Sequence, residues 1–234
     1  MYELDELKVP HKFLDRRSDK LVCFLPNVRT GPPNPYFGRL GWGQKLPDFD
    51  VLYLADPFRD ANEPQDLFGS WFVGPDGHSI LPQIGKILHK FRTRKCYRDV
   101  IVYGSSMGGY AALALGLITP NIRSIAECPQ IYLDKHPVSR HLLETHCAGL
   151  APKSINTLEE LAAQSDQSIG RISIFLSIHD THHVERHILP FMERLQTLNP
   201  LKNMTITFFS NSTYKTGHVA MSFEDAAHTH HLFS

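Results

Sequence analysis

The chain has 234 residues, 42% of them hydrophobic, enough to bury one sizeable core, so a single domain over residues 1–234 is expected. Lys plus Arg and Asp plus Glu both number 24, and this balance removes the long-range field that draws proteins to nucleic acid or anionic membranes. No run of about 18 apolar residues occurs, and Met1–Pro10 is acidic without the basic-then-apolar order of a signal peptide; a soluble, cytoplasmic protein with a small or neutral partner is expected.

In chain order, apolar and β-branched runs predict strands at Leu21–Pro26, Val51–Ala55, Val100–Tyr103, Ser124–Ala126, Ile172–Ile178 and Met204–Phe209. Most are continuous rather than alternating, as strands covered on both faces are. Helical patterns fall between and after them, at Ile84–Phe91, Met107–Ile118, Val184–Leu198 and Ala220–Leu232. Together these imply a mostly parallel central sheet flanked by helices. Residues 27–48 and 57–79 are rich in Gly and Pro and predict long loops. Such loops gather beyond the carboxyl ends of parallel strands, where ligands bind, so both are candidate cleft walls. No repeat or low-complexity linker suggests a boundary. Arg92, Arg94, Lys95 and Arg98 read as a solvated helix end.

Between the third of these strands and the helix after it lies Gly104-Ser105-Ser106-Met107-Gly108. Gly-x-Ser-x-Gly alone is weak, arising by chance in roughly one chain in ten of this length given ordinary glycine usage. Its position at a strand-to-helix corner makes it informative, because a serine there takes a strained conformation that exposes its hydroxyl, with glycines on either side avoiding a clash. The bland alternative is a glycine-rich turn without chemistry.

A serine hydroxyl needs an imidazole to take its proton and a carboxylate to orient that imidazole. Asp180, just beyond the strand Ile172–Ile178, and His218, beyond Met204–Phe209, follow Ser106 in the order Ser, Asp, His. Asp134, after the preceding strand, competes for the acid role, while Asp166 lies further from any strand end. His182 and His183 flank Asp180 or replace His218 as base. The oxyanion requires donors: the backbone N–H of Met107 at the helix start, and one from the loop after Leu21–Pro26, where Asn27 is best placed. The Asn27 side chain serves a turn equally well.

The four cysteines have no paired metal spacing and read as reduced packing residues. There are 14 histidines, including His179, His182, His183 and His187 and a tail with His228, His230 and His231. His183 and His187 are one helical turn apart, but spacing fixes no third ligand, so neither a metal nor another cofactor is expected.

The elbow Tyr103-Gly104-Ser105-Ser106-Met107-Gly108-Gly109-Tyr110, the later Asp180 and the final Gly217-His218 resemble the α/β-hydrolase superfamily. The double serine, Met107 and paired glycines also resemble its branch containing bacterial capsule O-acetyltransferases and the accessory-secretion glycan acetyltransferase component. The resemblance implies an α/β-hydrolase fold with a minimal cap, drawn from Pro137–Cys147 and Leu158–Ala163. Phe24-Leu25-Pro26-Asn27-Val28 stands where many lipases carry His-Gly-Gly-Gly, so a large lipid-binding lid is not implied. Asp56, Trp71 and Phe72 are candidate substrate contacts, since aromatic faces stack on sugar rings or acyl groups. The activity implied is hydrolysis of a small or carbohydrate-linked ester, with acyl transfer to a sugar hydroxyl and a non-catalytic binding protein as alternatives.

Overall fold

The computed structural model describes residues 2–29, 35–58, 69–147, 157–163, 170–198, 203–210 and 217–230. Short helix α1 (Tyr2–Glu6) precedes β1 (His11–Leu14), β2 (Lys20–Phe24), a 3₁₀ turn (Leu40–Lys45) and β3 (Asp50–Leu54). Then come α2 (Leu81–Lys95), β4 (Asp99–Ser105), α3 (Met107–Ile118), β5 (Arg123–Glu127), α4 (Pro137–Thr145), α5 (Leu158–Ala163) and β6 (Ile172–Ser177). Helix α6 (Thr181–His183) passes through a π-helical turn (Val184–Ile188) into α7 (Leu189–Leu198), followed by β7 (Met204–Phe209) and α8 (Phe223–His230).

All seven strands join one sheet in the order β1-β3-β2-β4-β5-β6-β7. Only β1 is antiparallel, pairing His11 with Leu54; the other pairings are parallel. From β2 the chain moves outward to β3, then returns to place β4 on the other side of β2. The winding direction therefore reverses between β2 and β4, whose register pairs Phe24 with Tyr103. Crevices at such reversals receive ligands in open α/β sheets.

Alternation along the strands feeds two cores. Leu21, Cys23, Val100 and Val102 face the side covered by α2 and α3, while Val22, Phe24, Ile101 and Tyr103 face Phe37, Trp42 and Met221. Helix α3 is buried from Met107 to Leu117, as a helix hydrophobic all round must be. The Ser124 hydroxyl donates to the Ala112 carbonyl at 2.6 Å, and Gly116 leaves room for that side chain: a Cβ there would lie 2.5 Å from the Ser124 Cβ.

All six expected strands are present, within two residues at each end, and β7 and α3 match residue for residue. Strand β1, α1 and the 3₁₀ turn are additional. Residues 59–68 of the second expected loop, Asp166, and the tail from 231 lie outside the described residues. At the end of α2, Arg94, Lys95 and Arg98 pair with Glu3, Asp15 and Asp19. Cys23, Cys96, Cys128 and Cys147 are free thiols. Among the described residues, no helix is long and apolar enough to cross a membrane.

Candidate active site

Ser106 sits between β4 and α3 with φ 57° and ψ −117°, a conformation that costs a non-glycine residue about 1–3 kcal/mol. Its surroundings enforce it. The Ser106 N–H donates to the Glu127 carbonyl at 2.9 Å, and its carbonyl accepts from the Tyr110 N–H at 3.0 Å. A Cβ on Gly104 would lie 2.2 Å from the Gly108 oxygen, and one on Gly108 would lie 2.8 Å from the carbonyl oxygens of Leu25 and Pro26. The motif's glycines thus let strand, helix and the loop after β2 meet at one corner. No side-chain cap covers the first amides of α3, leaving its positive dipole end at Ser106.

Asp180 lies three residues past β6 and caps α6, accepting the His183 backbone N–H at 3.3 Å. Its two carboxylate oxygens receive two imidazoles, Oδ1 from His183 Nδ1 at 2.8 Å and Oδ2 from His218 Nδ1 at 2.9 Å. A carboxylate only accepts, so both Nδ1 atoms carry a proton, and in the neutral form of either ring Nε2 is the acceptor. Burial pulls the Asp180 carboxyl upward, but the hydrogen bonds from His183 and then His218 outweigh it and hold the group well below its ordinary range. Gly217, at φ 94°, supplies the left-handed turn that delivers His218 to Asp180.

Ser106 and His218 line one cleft of about 290 Å³, together with Asn27, Gln130, His136 and Val138. It opens where the chain winding reverses, with Asn27 from the β2 loop facing the β4 elbow. The Asn27 Oδ1 accepts from the Tyr36 hydroxyl at 2.9 Å, so the oxygen end of this side chain fastens the loop, and an oxyanion role falls to its N–H donors. Met107 is buried at the first position of α3.

Three expected substrate contacts are not in the cleft wall. Asp56 is 4% exposed, and Trp71 and Phe72 are fully buried. Asp56 holds its own loop, accepting from the Ser70 N–H at 2.6 Å, the Ser70 hydroxyl and the Phe58 N–H. Trp71 acts from beneath, its Nε1 donating at 2.9 Å to the Oε1 of Gln130, which does line the cleft. Asp134 is exposed and paired with Lys135 at 3.2 Å, whereas the carboxylate that His218 Nδ1 meets is Asp180. The rule that ligands lie beyond strand carboxyl ends, applied to β5, points directly at Cys128–Gln130, and Cys128 and Gln130 line the cleft.

His183 is buried and contacts Asp180 without lining the cleft. His136, His182 and His187 gather around it, with ring centroids 5.8, 5.4 and 5.0 Å away. Burial, then neighbouring histidines, lower the His136 imidazole to about 4 and that of His187 to about 3. Among the described residues, the metal-ligating atoms that converge within 4.8 Å are those of Cys128, Asp180 and His218, not a set built on the His183 and His187 pair.

No family model matches the sequence, and no curated protein does. Solved structures do. The capsule O-acetyltransferase of Neisseria meningitidis serogroup A is 18% identical, with 95% of this chain and 89% of that chain covered at a TM-score of 0.69. A mutant of the same protein in complex with CoA aligns over 88% and 87% at 18% identity and 0.64. An S-formylglutathione hydrolase from Agrobacterium tumefaciens is 16% identical, over 89% and 79%, at 0.58. These likenesses establish the α/β-hydrolase fold.

Proposed function

We propose that this chain is a serine-dependent acyl enzyme that hydrolyses a small or carbohydrate-linked ester. The observation that carries the reading is the 2.9 Å bond between His218 Nδ1 and Asp180, made by an imidazole that shares its cleft with the strained Ser106. In this reading Asp180 fixes the His218 tautomer, which leaves Nε2 free as the base. Ser106 Oγ attacks the ester carbonyl as Nε2 takes its proton, and the carbonyl electrons move onto oxygen. The Met107 N–H at the helix dipole and the backbone N–H at Asn27 stabilise that oxyanion. Collapse expels the alcohol, which leaves with the proton from Nε2. Water, deprotonated by the same nitrogen, then releases the acid and restores Ser106. No metal or cofactor is needed for these steps.

The likeness to a capsule O-acetyltransferase over 95% of this chain, and to that protein in complex with CoA, favours a second reading. There a sugar hydroxyl replaces water as acceptor and an acyl thioester replaces the ester as donor. Both readings need the same acyl-Ser106. Turnover of p-nitrophenyl acetate tests them together: Ser106→Ala is expected to lose at least about 1,000-fold in kcat, and equal rates in wild type and variant would remove both. Mass gain on a glycan incubated with protein and acetyl-CoA then separates transfer from hydrolysis.

A further inference from the structure

We propose that His183 is a positioning residue of this site, clamping the Asp180 carboxylate between two imidazoles so that a fixed Oδ2 meets His218. The inference rests on the acyl-enzyme reading and adds a residue that no part of the Ser, His, Asp chemistry requires. Capping α6 needs only the backbone N–H at position 183, which Asp180 Oδ1 accepts at 3.3 Å. The ring does more. Its Nδ1 donates to the same oxygen at 2.8 Å, so the carboxylate is held at one end by a backbone and a side-chain donor and cannot rotate without breaking both.

The same ring also supports the base directly. His183 and His218 lie face to face, centroids 4.2 Å apart and planes 13° from parallel. The His218 side chain is 36% exposed, whereas that of His183 is 3% exposed, so the buried ring forms a wall against the face of a base that is otherwise partly open. Orientation of this kind has kinetic weight, since a 1 Å misplacement costs about 100-fold in rate.

The ionisable groups around His183 are Asp180, His182 and His187 from its own stretch, His136 from the residue before α4, and His218 from the last loop; Cys128, beyond β5, brings its Sγ within 4.8 Å of the facing Asp180 and His218 atoms. Burial, more than the opposing bond to Asp180, lowers the His183 imidazole and so favours its neutral form. It therefore donates to Asp180 without placing a second cation against His218 as that ring takes the Ser106 proton. A neutral donor on Oδ1 also draws charge from the carboxylate. Removing it leaves more negative charge facing His218, which makes the base easier to protonate.

The test compares His183→Leu, His183→Asn and His183→Gln with wild type on p-nitrophenyl acetate across pH, with melting temperature recorded for each. Asn places an amide donor near the position of Nδ1, and Gln places it beyond. His183→Leu and His183→Gln are expected to lower kcat about 10- to 100-fold with KM within about twofold, and to move the acid limb of kcat/KM to higher pH. His183→Asn, which returns the donor but not the ring, is expected to restore the profile and part of kcat. Wild-type kcat and profile in a folded His183→Leu or His183→Gln protein would overturn the inference, as would equal losses in all three without a profile shift. If His183→Leu does not fold, the Gln and Asn pair decides. Wild-type protein that neither turns over the ester nor labels at Ser106 is a different result: it removes the acyl reading, and this inference with it.

Discussion

At Asp180 two demands meet on one carboxylate, to cap a helix and to orient an imidazole, and the two oxygens divide them. Asp180→Asn keeps the shape but replaces one acceptor with a donor, so His218 is driven to the wrong tautomer with its proton on Nε2. We expect kcat to fall on the order of 1,000- to 10,000-fold; a variant within tenfold of wild type would assign the acid role elsewhere. The meeting of Asp180 with His218 beside Ser106 was legible because the motif and the strand ends constrain their places jointly. Asp56, Trp71 and Phe72 were not, because a Gly-rich aromatic segment reads the same whether its rings face a ligand or the core. Here the core won: Trp71 and Phe72 are buried at φ 53° and 60°. The place of His183 was not legible: the sequence offers it as a flank of the acid, a rival base or half of a metal pair, and nearness says nothing of which ring nitrogen reaches Asp180.

The elbow is also an element-scale device, because β4, α3 and the loop after β2 approach one another only through glycine. For Gly104→Ala, the added methyl meets the Gly108 backbone at 2.2 Å, and backbone cannot swing aside as a side chain can. A loss of about 1–3 kcal/mol or more is expected, with esterase activity falling further than stability because Ser106 moves with its turn; chemical denaturation and turnover measured side by side check this. Legibility followed burial at this scale. The continuous apolar runs of β4, β5 and β6 announced buried strands. β1 escaped because His11-Lys12-Phe13-Leu14 is a four-residue edge strand with half its side chains exposed. The expected helix Val184–Leu198 is present but begins earlier and contains a π-helical turn, a local widening that periodicity alone does not reveal.

Across the molecule, the reversal of winding between β2 and β4 decides where the site lies, and the neutral overall charge leaves recognition to the cleft itself. Two histidines, half-buried His136 in the cleft wall and buried His187 behind it, couple the site to the stability of the fold. In the unfolded chain their imidazoles protonate near 6.5, whereas folded His136 and His187 stay neutral down to about 4 and about 3. Their contribution is complete above pH 6.5 and is lost as pH falls through that window, because the unfolded state binds protons first. The urea midpoint is therefore expected to drop between pH 6.5 and 4, and to drop less in His187→Asn, whose amide oxygen still accepts the Tyr132 N–H that His187 Nδ1 takes at 3.1 Å. Identical pH slopes in the two proteins would contradict this. The central claim is met most directly by intact-mass and peptide analysis after exposure to a fluorophosphonate. The account predicts one adduct, on Ser106, absent in Ser106→Ala and slow to form in His218→Ala; a wild-type protein left unmodified, or modified at another residue, would contradict it.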